Sequence, residues 1–389
     1  MKVLVTGATG FVGQHTVAEL LKKKGENIIK IDWKEMPNLY ELTLVVPTFN
    51  RQRHALRQMH FWSDTPVKIH LLDGTSIPIN AEDLKDLGDN VRYYHLPYSY
   101  EERLRKSLEL VDTPYVALLC DDEFFIPSTL KHCIDELKTH KDFVACIGRC
   151  LGFYSTKRGM TATPMYNEME GYRCVGATTG ERMIEHMNPY ICSTIYAVQR
   201  SEAWKKSMVI LVKEKFSSPY VGELQFELAT CYQGKSMVIE ELMWLRNNEN
   251  KPIDFKEHNR KLQFDTWLKD SRYQGEVNLF YENTATELAK IDGADKEKVL
   301  TDFKLAVDAY LDYCKKRRLI FSVATLRDKI MQFAPEKLRQ KIHLARIDDS
   351  WKPIMEAAEN IQKEGVHVDF NQLQEIVEFM GKKIYEKRK

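Results

Sequence analysis

The chain has 389 residues, a formal net charge of +1 and 43% hydrophobic residues. That length exceeds one ordinary core and sets an expectation of two or three domains, and the near-neutral balance gives no electrostatic reason to expect a nucleic-acid partner. No apolar run reaches a membrane span, no signal peptide opens the chain, and the eight cysteines are scattered without a CxxC pair; the expectation is a cytoplasmic protein with buried free thiols and no zinc ribbon.

Residues 1–34 read as one βαβ unit. A strand at 3–6 leads into the turn glycines Gly7, Gly10 and Gly13, a helix over 15–24 buries Val17, Leu20 and Leu21, and a second strand runs over 27–32 to Asp32. A new start follows at residue 42. Apolar runs at 42–47, 67–72, 91–95, 115–120 and 143–147 predict strands, with helices over about 52–62, 101–110 and 128–140 between them. Strands alternating with helices argue a mostly parallel sheet covered by helices on both faces.

From about 150 to 190 no steady period holds, and the segment reads as loops. A strand is expected at 191–199, a helix capped by Ser201, a helix over 222–231 and an extended run at 236–245. Beyond about 257 the chain becomes charged and helical. Three apolar stripes stand out: Leu300, Phe303, Val307 and Tyr310; Ile354, Ala357, Ala358 and Ile361; Leu373, Ile376, Val377 and Met380. They fit a core, or a surface shared with a second copy, better than a cofactor site. The basic tail, Lys382, Lys383, Lys387, Arg388 and Lys389, suits a solvated helix end, with peripheral contact to anionic membrane lipid as the other reading. The expected division is therefore 1–34, 42–256 and a helical 257–389.

The most informative stretch is 115–123. An apolar strand delivers Asp121, Asp122 and Glu123 at its carboxyl end, where ligands gather in open α/β sheets. Adjacent carboxylates repel unless a cation sits among them, and a divalent metal carrying a diphosphate is one such cation. The alternative is a solvated acidic turn opening the helix at Pro127.

Residues 42 to about 250 resemble a GT-A glycosyltransferase close to the large inverting group called family 2. The resemblance is carried by Val45-Val-Pro47-Thr48-Phe-Asn50-Arg51, by Leu71-Leu-Asp73-Gly74, by Val116-Ala-Leu-Leu-Cys120-Asp121-Asp122-Glu123, by Gly222-Glu223 at a helix start and by Leu245-Arg246 after a strand. It implies a nucleotide-sugar donor, best a UDP-sugar, and Mn²⁺ or Mg²⁺ as cofactor. The implied acceptor is a growing surface glycan, free or lipid-linked, at the inner face of a bacterial membrane. Pro47, Thr48, Asn50 and Arg51 would line the donor nucleotide, and Asp73 would accept from a uracil N–H or ribose hydroxyl, its other reading being a turn aspartate before Gly74. Cys120 takes the place of the first acid of the family's DxD motif. The acids shift by one, assigning Asp121 to the donor and Asp122 with Glu123 to the metal. Arg105, on the helix before the acidic strand, would brace the donor or pair with surface glutamates; Arg103 lies one half-turn earlier. Glu223 would be the base that deprotonates the acceptor, or else a helix N-terminal acid, with Glu227 one turn on as its substitute.

Thr6-Gly7-Ala-Thr-Gly10-Phe-Val-Gly13 resembles the opening of extended short-chain dehydrogenases and nucleotide-sugar epimerases. The rest of that family is missing, since the next fold begins at residue 42, so 1–34 is read as a truncated Rossmann unit that packs on the transferase or mediates self-association. An NAD-dependent epimerase-like enzyme and a catalytically inactive nucleotide-binding scaffold are the rival readings.

Overall fold

The computed structural model describes residues 31, 33–156, 159–248, 262–332 and 351–381. Ile31, Trp33 and Lys34 are thus the described part of the N-terminal unit; its glycine turn and Asp32, like the basic tail, lie outside the described residues.

Four strands form the parallel heart of the sheet, their side chains nearly all buried except in the edge strand β3: β1 (Leu42–Thr48), β2 (Lys68–Asp73), β3 (Val91–His95) and β4 (Tyr115–Leu118), in the order β3-β2-β1-β4. Continuous apolar runs are what a sheet covered on both faces requires. The helices α1 (Gln52–Trp62) and α2 (Tyr100–Leu110) make two of the crossovers. Register sets Thr48 opposite Asp73, and the chain leaving β4 carries the acids to the same edge.

Beyond β4 the sheet becomes mixed, reaching eleven strands. The short β5 (Phe124–Phe125) is followed by α3 (Pro127–Thr139), which opens on a proline where an N–H is dispensable. The segment expected to be loops is instead ordered. β6 (Phe143–Thr156) continues well past 147, turns back as β7 (Gly159–Met165), and is followed by β8 (Arg173–Cys174) and the helix α4 (Thr179–Met187), which starts on a Thr178/Glu181 capping box. The expected strand over 191–199 shrinks to β9 (Val198–Arg200), antiparallel to both β4 and β6. Next come α5 (Ser201–Leu211), α6 (Tyr220–Gln233) and β10 (Lys235–Asn247), the last parallel to β6. Ser201 begins α5 without a side-chain cap; Arg200 occupies the capping position.

The C-terminal helices fall into two groups. α7 (Phe264–Lys269), α8 (Gln274–Asp292) and α9 (Lys296–Gln332) bury Trp267, Phe280 and Phe303 against Val221, Leu224 and Leu228 of α6. After β11 (Lys352–Pro353), which pairs with β7, α10 (Ile354–Lys363) and α11 (Phe370–Gly381) join the main core instead. Phe379 meets Phe61 at 5.2 Å and Phe124 at 6.4 Å, ring centre to ring centre. All three apolar stripes are thus packed inside the chain's own cores. All eight cysteines are free, and Cys120 and Cys314 alone among them are partly exposed. Among the described residues no helix is long and apolar enough to cross a membrane.

Candidate active site

The loops leaving β1, β2 and β4 meet at one sheet edge. Asn50 has φ 55°, a left-handed conformation that asparagine tolerates better than most residues, and its N–H donates to Thr75 Oγ1 at 2.9 Å. That bond ties the first loop to the second. Pro47 is half-buried at the end of β1, and Thr48 is buried behind it.

Asp73 is fully buried and fully engaged. It accepts from Gln52 Nε2 at 2.9 Å, from the Tyr93 hydroxyl at 2.8 Å and from its neighbour Thr75 N at 2.8 Å. It is therefore more than a turn aspartate: α1, β2 and β3 all converge on it. Gly74 is needed beside it. A Cβ there would sit 2.7 Å from the Arg103 guanidinium carbon, well inside contact distance.

Arg103 comes from α2, whose start is fixed by a reciprocal Ser99/Glu102 capping box. Its buried guanidinium donates to the carbonyl oxygens of Thr48 and Leu72, binding the ends of β1 and β2 together. Arg105 points elsewhere. It donates to the carbonyl of Val212 just beyond α5, so it fastens α2 to its neighbouring helix, and the arginine at the strand ends is Arg103.

The three acids behave differently from one another. Asp121 is buried, accepts from Thr48 Oγ1 at 2.6 Å and lies 3.2 Å from Arg51 Nη1. Burial, only partly offset by Arg51, pushes its carboxyl up to about 6. Asp122 pairs with the other Arg51 nitrogen, and its carbonyl receives Arg57 at 3.4 Å. The solvated acidic turn is excluded, because both carboxylates are about 95% covered. Glu123 departs from the expected metal set. Its carboxyl turns inward to accept the Trp244 indole N–H at 2.7 Å, while its carbonyl accepts from Gln58. Burial, reinforced by the charge of Asp122, pushes it up to about 8, so it is neutral at pH 7.

A divalent cation that travels with a diphosphate needs one or two carboxylates, with phosphate oxygens and water completing its shell. Asp121 and Asp122 fit that description: they are adjacent, and they already face a cation in Arg51. Among the described residues no group of three or more His, Cys, Asp or Glu side chains is arranged to hold an ion by itself.

Glu223 stands on the first turn of α6, half-buried. The Tyr190 hydroxyl donates to its Oε1 at 2.5 Å. Its carboxyl lies above the ordinary range because burial outweighs that bond, and Glu227 adds to the rise while Arg246 opposes it. Glu123 and Glu223 both push the Tyr196 phenol upward, so both carboxyls lie near that ring. The remaining wall is aromatic. Tyr166, itself at φ 56°, stacks on Trp244 at 5.5 Å with 12° between planes, Tyr196 meets the same indole at 4.7 Å, and Arg246 covers Tyr166 at 5.7 Å. Of this wall only Tyr166 lies in the segment read as loops; Tyr196 and Trp244 lie in the runs at 191–199 and 236–245 read as extended, with no sign of a site.

Glu227 is not an alternative base. It is fully buried and accepts from Thr194 N at 3.1 Å, Thr194 Oγ1, Ile195 N at 2.9 Å and the His186 ring at 2.7 Å. The chain over 191–197 is wrapped around this carboxylate, which is why the expected strand there is interrupted.

Comparison with known proteins adds four likenesses. The family model described as the NAD dependent epimerase/dehydratase family matches residues 3–60. An uncharacterized UDP-glucose epimerase, YtcB of Bacillus subtilis, is 52% identical over 44 residues, which is 11% of this chain and 14% of that protein, so the chain spans about a seventh of its curated relative. Among solved structures, residues 1–349 of S. aureus TarS in complex with UDP-GlcNAc align with a TM-score of 0.42 at 14% identity over 67% of this chain and 71% of that one. A mannosyltransferase of Pyrobaculum calidifontis in complex with GDP-Man and Mn²⁺ aligns at 0.38 and 11% identity, over 78% and 94%.

Proposed function

We propose that the chain is a nucleotide-sugar-dependent glycosyltransferase, with a UDP-sugar as donor. The observation that carries this reading is the convergence of Thr48, Arg51, Asp73, Asp121 and Asp122 at the carboxyl edge of three adjacent parallel strands; the half-buried Glu223 lies near Tyr196, as does Glu123 of the same acidic turn. Asp73, its oxygens taken up by Gln52, Tyr93 and Thr75, shapes the turn at Asn50 and Thr75, beside which a base or ribose would rest. Arg51 and Arg103 supply positive charge at the strand ends, which suits a diphosphate. Asp121 and Asp122 are the residues that would hold Mn²⁺ or Mg²⁺, whose chemistry there would be to offset the charge on the departing diphosphate.

Glu223 has the position and the elevated proton affinity of a general base. It takes the proton of an acceptor hydroxyl as that oxygen attacks the anomeric carbon, and attack from the face opposite the diphosphate inverts the anomer. The experiment is a thermal-shift screen of UDP- and GDP-sugars with Mn²⁺, followed by turnover of the best donor by the wild type and Glu223→Gln. Turnover should fall by at least about 100-fold with donor affinity little changed. Stabilisation by no nucleotide, or undiminished turnover in Glu223→Gln, would overturn the donor or the base assignment respectively.

A further inference from the structure

Glu223 is held by a side chain that the resemblance does not include. The Tyr190 hydroxyl donates to Glu223 Oε1 at 2.5 Å, and its ring is clamped edge-on by two others: His186 of α4 at 5.9 Å and 79°, and Tyr310 of α9 at 5.2 Å and 89°. Neither clamp is free to drift. His186 is bonded to Glu227 on one ring nitrogen and to the Tyr172 hydroxyl on the other. Tyr310 packs its ring on Phe264 at 5.6 Å, within the cluster of Trp267, Phe280 and Phe303.

We propose that Tyr190 is the positioning residue of Glu223, and that helix α9 belongs to the active site because Tyr310 holds Tyr190 in place. The proposal rests on Glu223 acting as base, but its test reads the carboxyl directly. A bond donated to a carboxylate favours the charged form, so Tyr190 keeps Glu223 able to accept a proton while aiming Oε1. Other groups face the same carboxyl. Glu227 stands one turn along α6, Arg246 at the end of β10, Tyr100 at the start of α2, and Tyr196 and Cys192 in the segment before β9. Arg246 favours the charged form and Glu227 disfavours it. Neither is altered by removing the Tyr190 hydroxyl, so the sign of the change is set by the lost bond.

The experiment follows the titration of Glu223 by carbon NMR in full-length protein labelled at glutamate side-chain carboxyls, with Glu223→Gln identifying the signal. Tyr190→Phe should move the midpoint upward by about 1 to 2 pH units. Tyr310→Leu, which removes the clamp but leaves the hydroxyl, should move it upward by less. Tyr310→Phe, which restores the ring, should return it to the wild-type midpoint. An unmoved midpoint in Tyr190→Phe overturns the proposal, and so does Tyr310→Phe behaving like Tyr310→Leu. With the donor found by screening, the acid limb of the kcat/KM profile should follow the NMR midpoint. A limb that stays put while the midpoint moves removes Glu223 as base and leaves its positioning by Tyr190 established.

Discussion

Glu123→Gln separates the structure's account of the acidic turn from the one its sequence suggests. In the native state the Glu123 carboxyl keeps its proton up to about pH 8, against an ordinary value of 4.5. Between those two values the folded protein binds more protons than the unfolded chain, so stability falls as pH rises, is complete below 4.5 and levels off above 8. At about 1.4 kcal/mol per unit, the displacement corresponds to a loss of roughly 5 kcal/mol across the window. Asp121, raised from 3.8 to about 6, contributes in the same direction over a lower range. Glutamine is nearly isosteric with protonated glutamate, can still accept from the Trp244 indole, and carries no titrating proton. Glu123→Gln should match the wild type at pH 5 to within about 1 kcal/mol and exceed it by several at pH 8.5. Urea unfolding at a series of pH values, followed by tryptophan fluorescence, measures the difference. Parallel stability curves would refute a neutral Glu123. The same variant should bind UDP with Mn²⁺ within a few-fold of the wild type; loss of that binding would return Glu123 to the metal set.

Asp122→Asn leaves Arg51 with Asp121 alone. It should abolish stabilisation by UDP plus Mn²⁺ and reduce turnover by at least 100-fold, while lowering stability by about 1–3 kcal/mol, the worth of one charged hydrogen bond; calorimetry with and without ligand reads both, and retained ligand stabilisation would remove Asp122 from the donor site. Glu227→Gln puts an amide donor where one carboxyl oxygen accepts from Thr194, Ile195 or His186 and should cost about 1–3 kcal/mol, the cost of leaving a buried donor unpaired. Denaturant unfolding checks it, and a loss below 1 kcal/mol would show that the segment does not depend on that carboxylate.

Most of the parallel heart was legible because β1 and β4 are uninterrupted apolar runs and β2 is nearly one, with helices following β1 and β3. The order Leu42, Lys68, Val91, Tyr115 is the order in which those runs occur, and burial on both faces follows from their composition. The strand-end residues Thr48, Asp73, Asp121 and Asp122 were findable for the same reason: they follow directly from strands that can be read. The aromatic wall was not. Tyr166 and Tyr190 sit in a segment without a period and Tyr196 in a run that reads as a strand, and all are fixed by distant partners: Tyr166 by Trp244 from β10, Tyr190 by Glu223 from α6, and the 191–197 turn by Glu227. Likewise, Glu123 differs from Asp122 only in where its side chain turns, and Trp244, more than a hundred residues later, decides that. The choice between Arg103 and Arg105 depends on the rotation of α2, which the Ser99/Glu102 cap and the room above Gly74 set together.

The N-terminal boundary follows from the same kind of contact. The epimerase-family match runs to residue 60, yet β1 and α1 within it are built into the large sheet, β1 lying between β2 and β4. The residues just before β1 are also committed to that sheet. Ile31 is buried and its N–H donates to Glu375 Oε2 at 2.6 Å, Trp33 meets Trp62 at 6.1 Å, Met36 is buried, and Asn38 donates to Asp135 Oδ1 at 2.8 Å. A cut after residue 34, where the sequence suggested the unit ends, would therefore remove part of the large sheet's core. Deleting 1–30 should leave the melting temperature and UDP binding of the remaining protein close to those of the whole. Deleting 1–36 discards the buried Ile31 and Met36 and the half-buried Trp33 as well and should cost at least about 3–6 kcal/mol, at about 1.5–3 kcal/mol for each of the two buried side chains. Denaturant unfolding of the two truncations compares them directly. Equal stabilities would show that residues 31–36 contribute nothing to the core, and loss of UDP binding in the shorter deletion would place nucleotide recognition in residues 1–30.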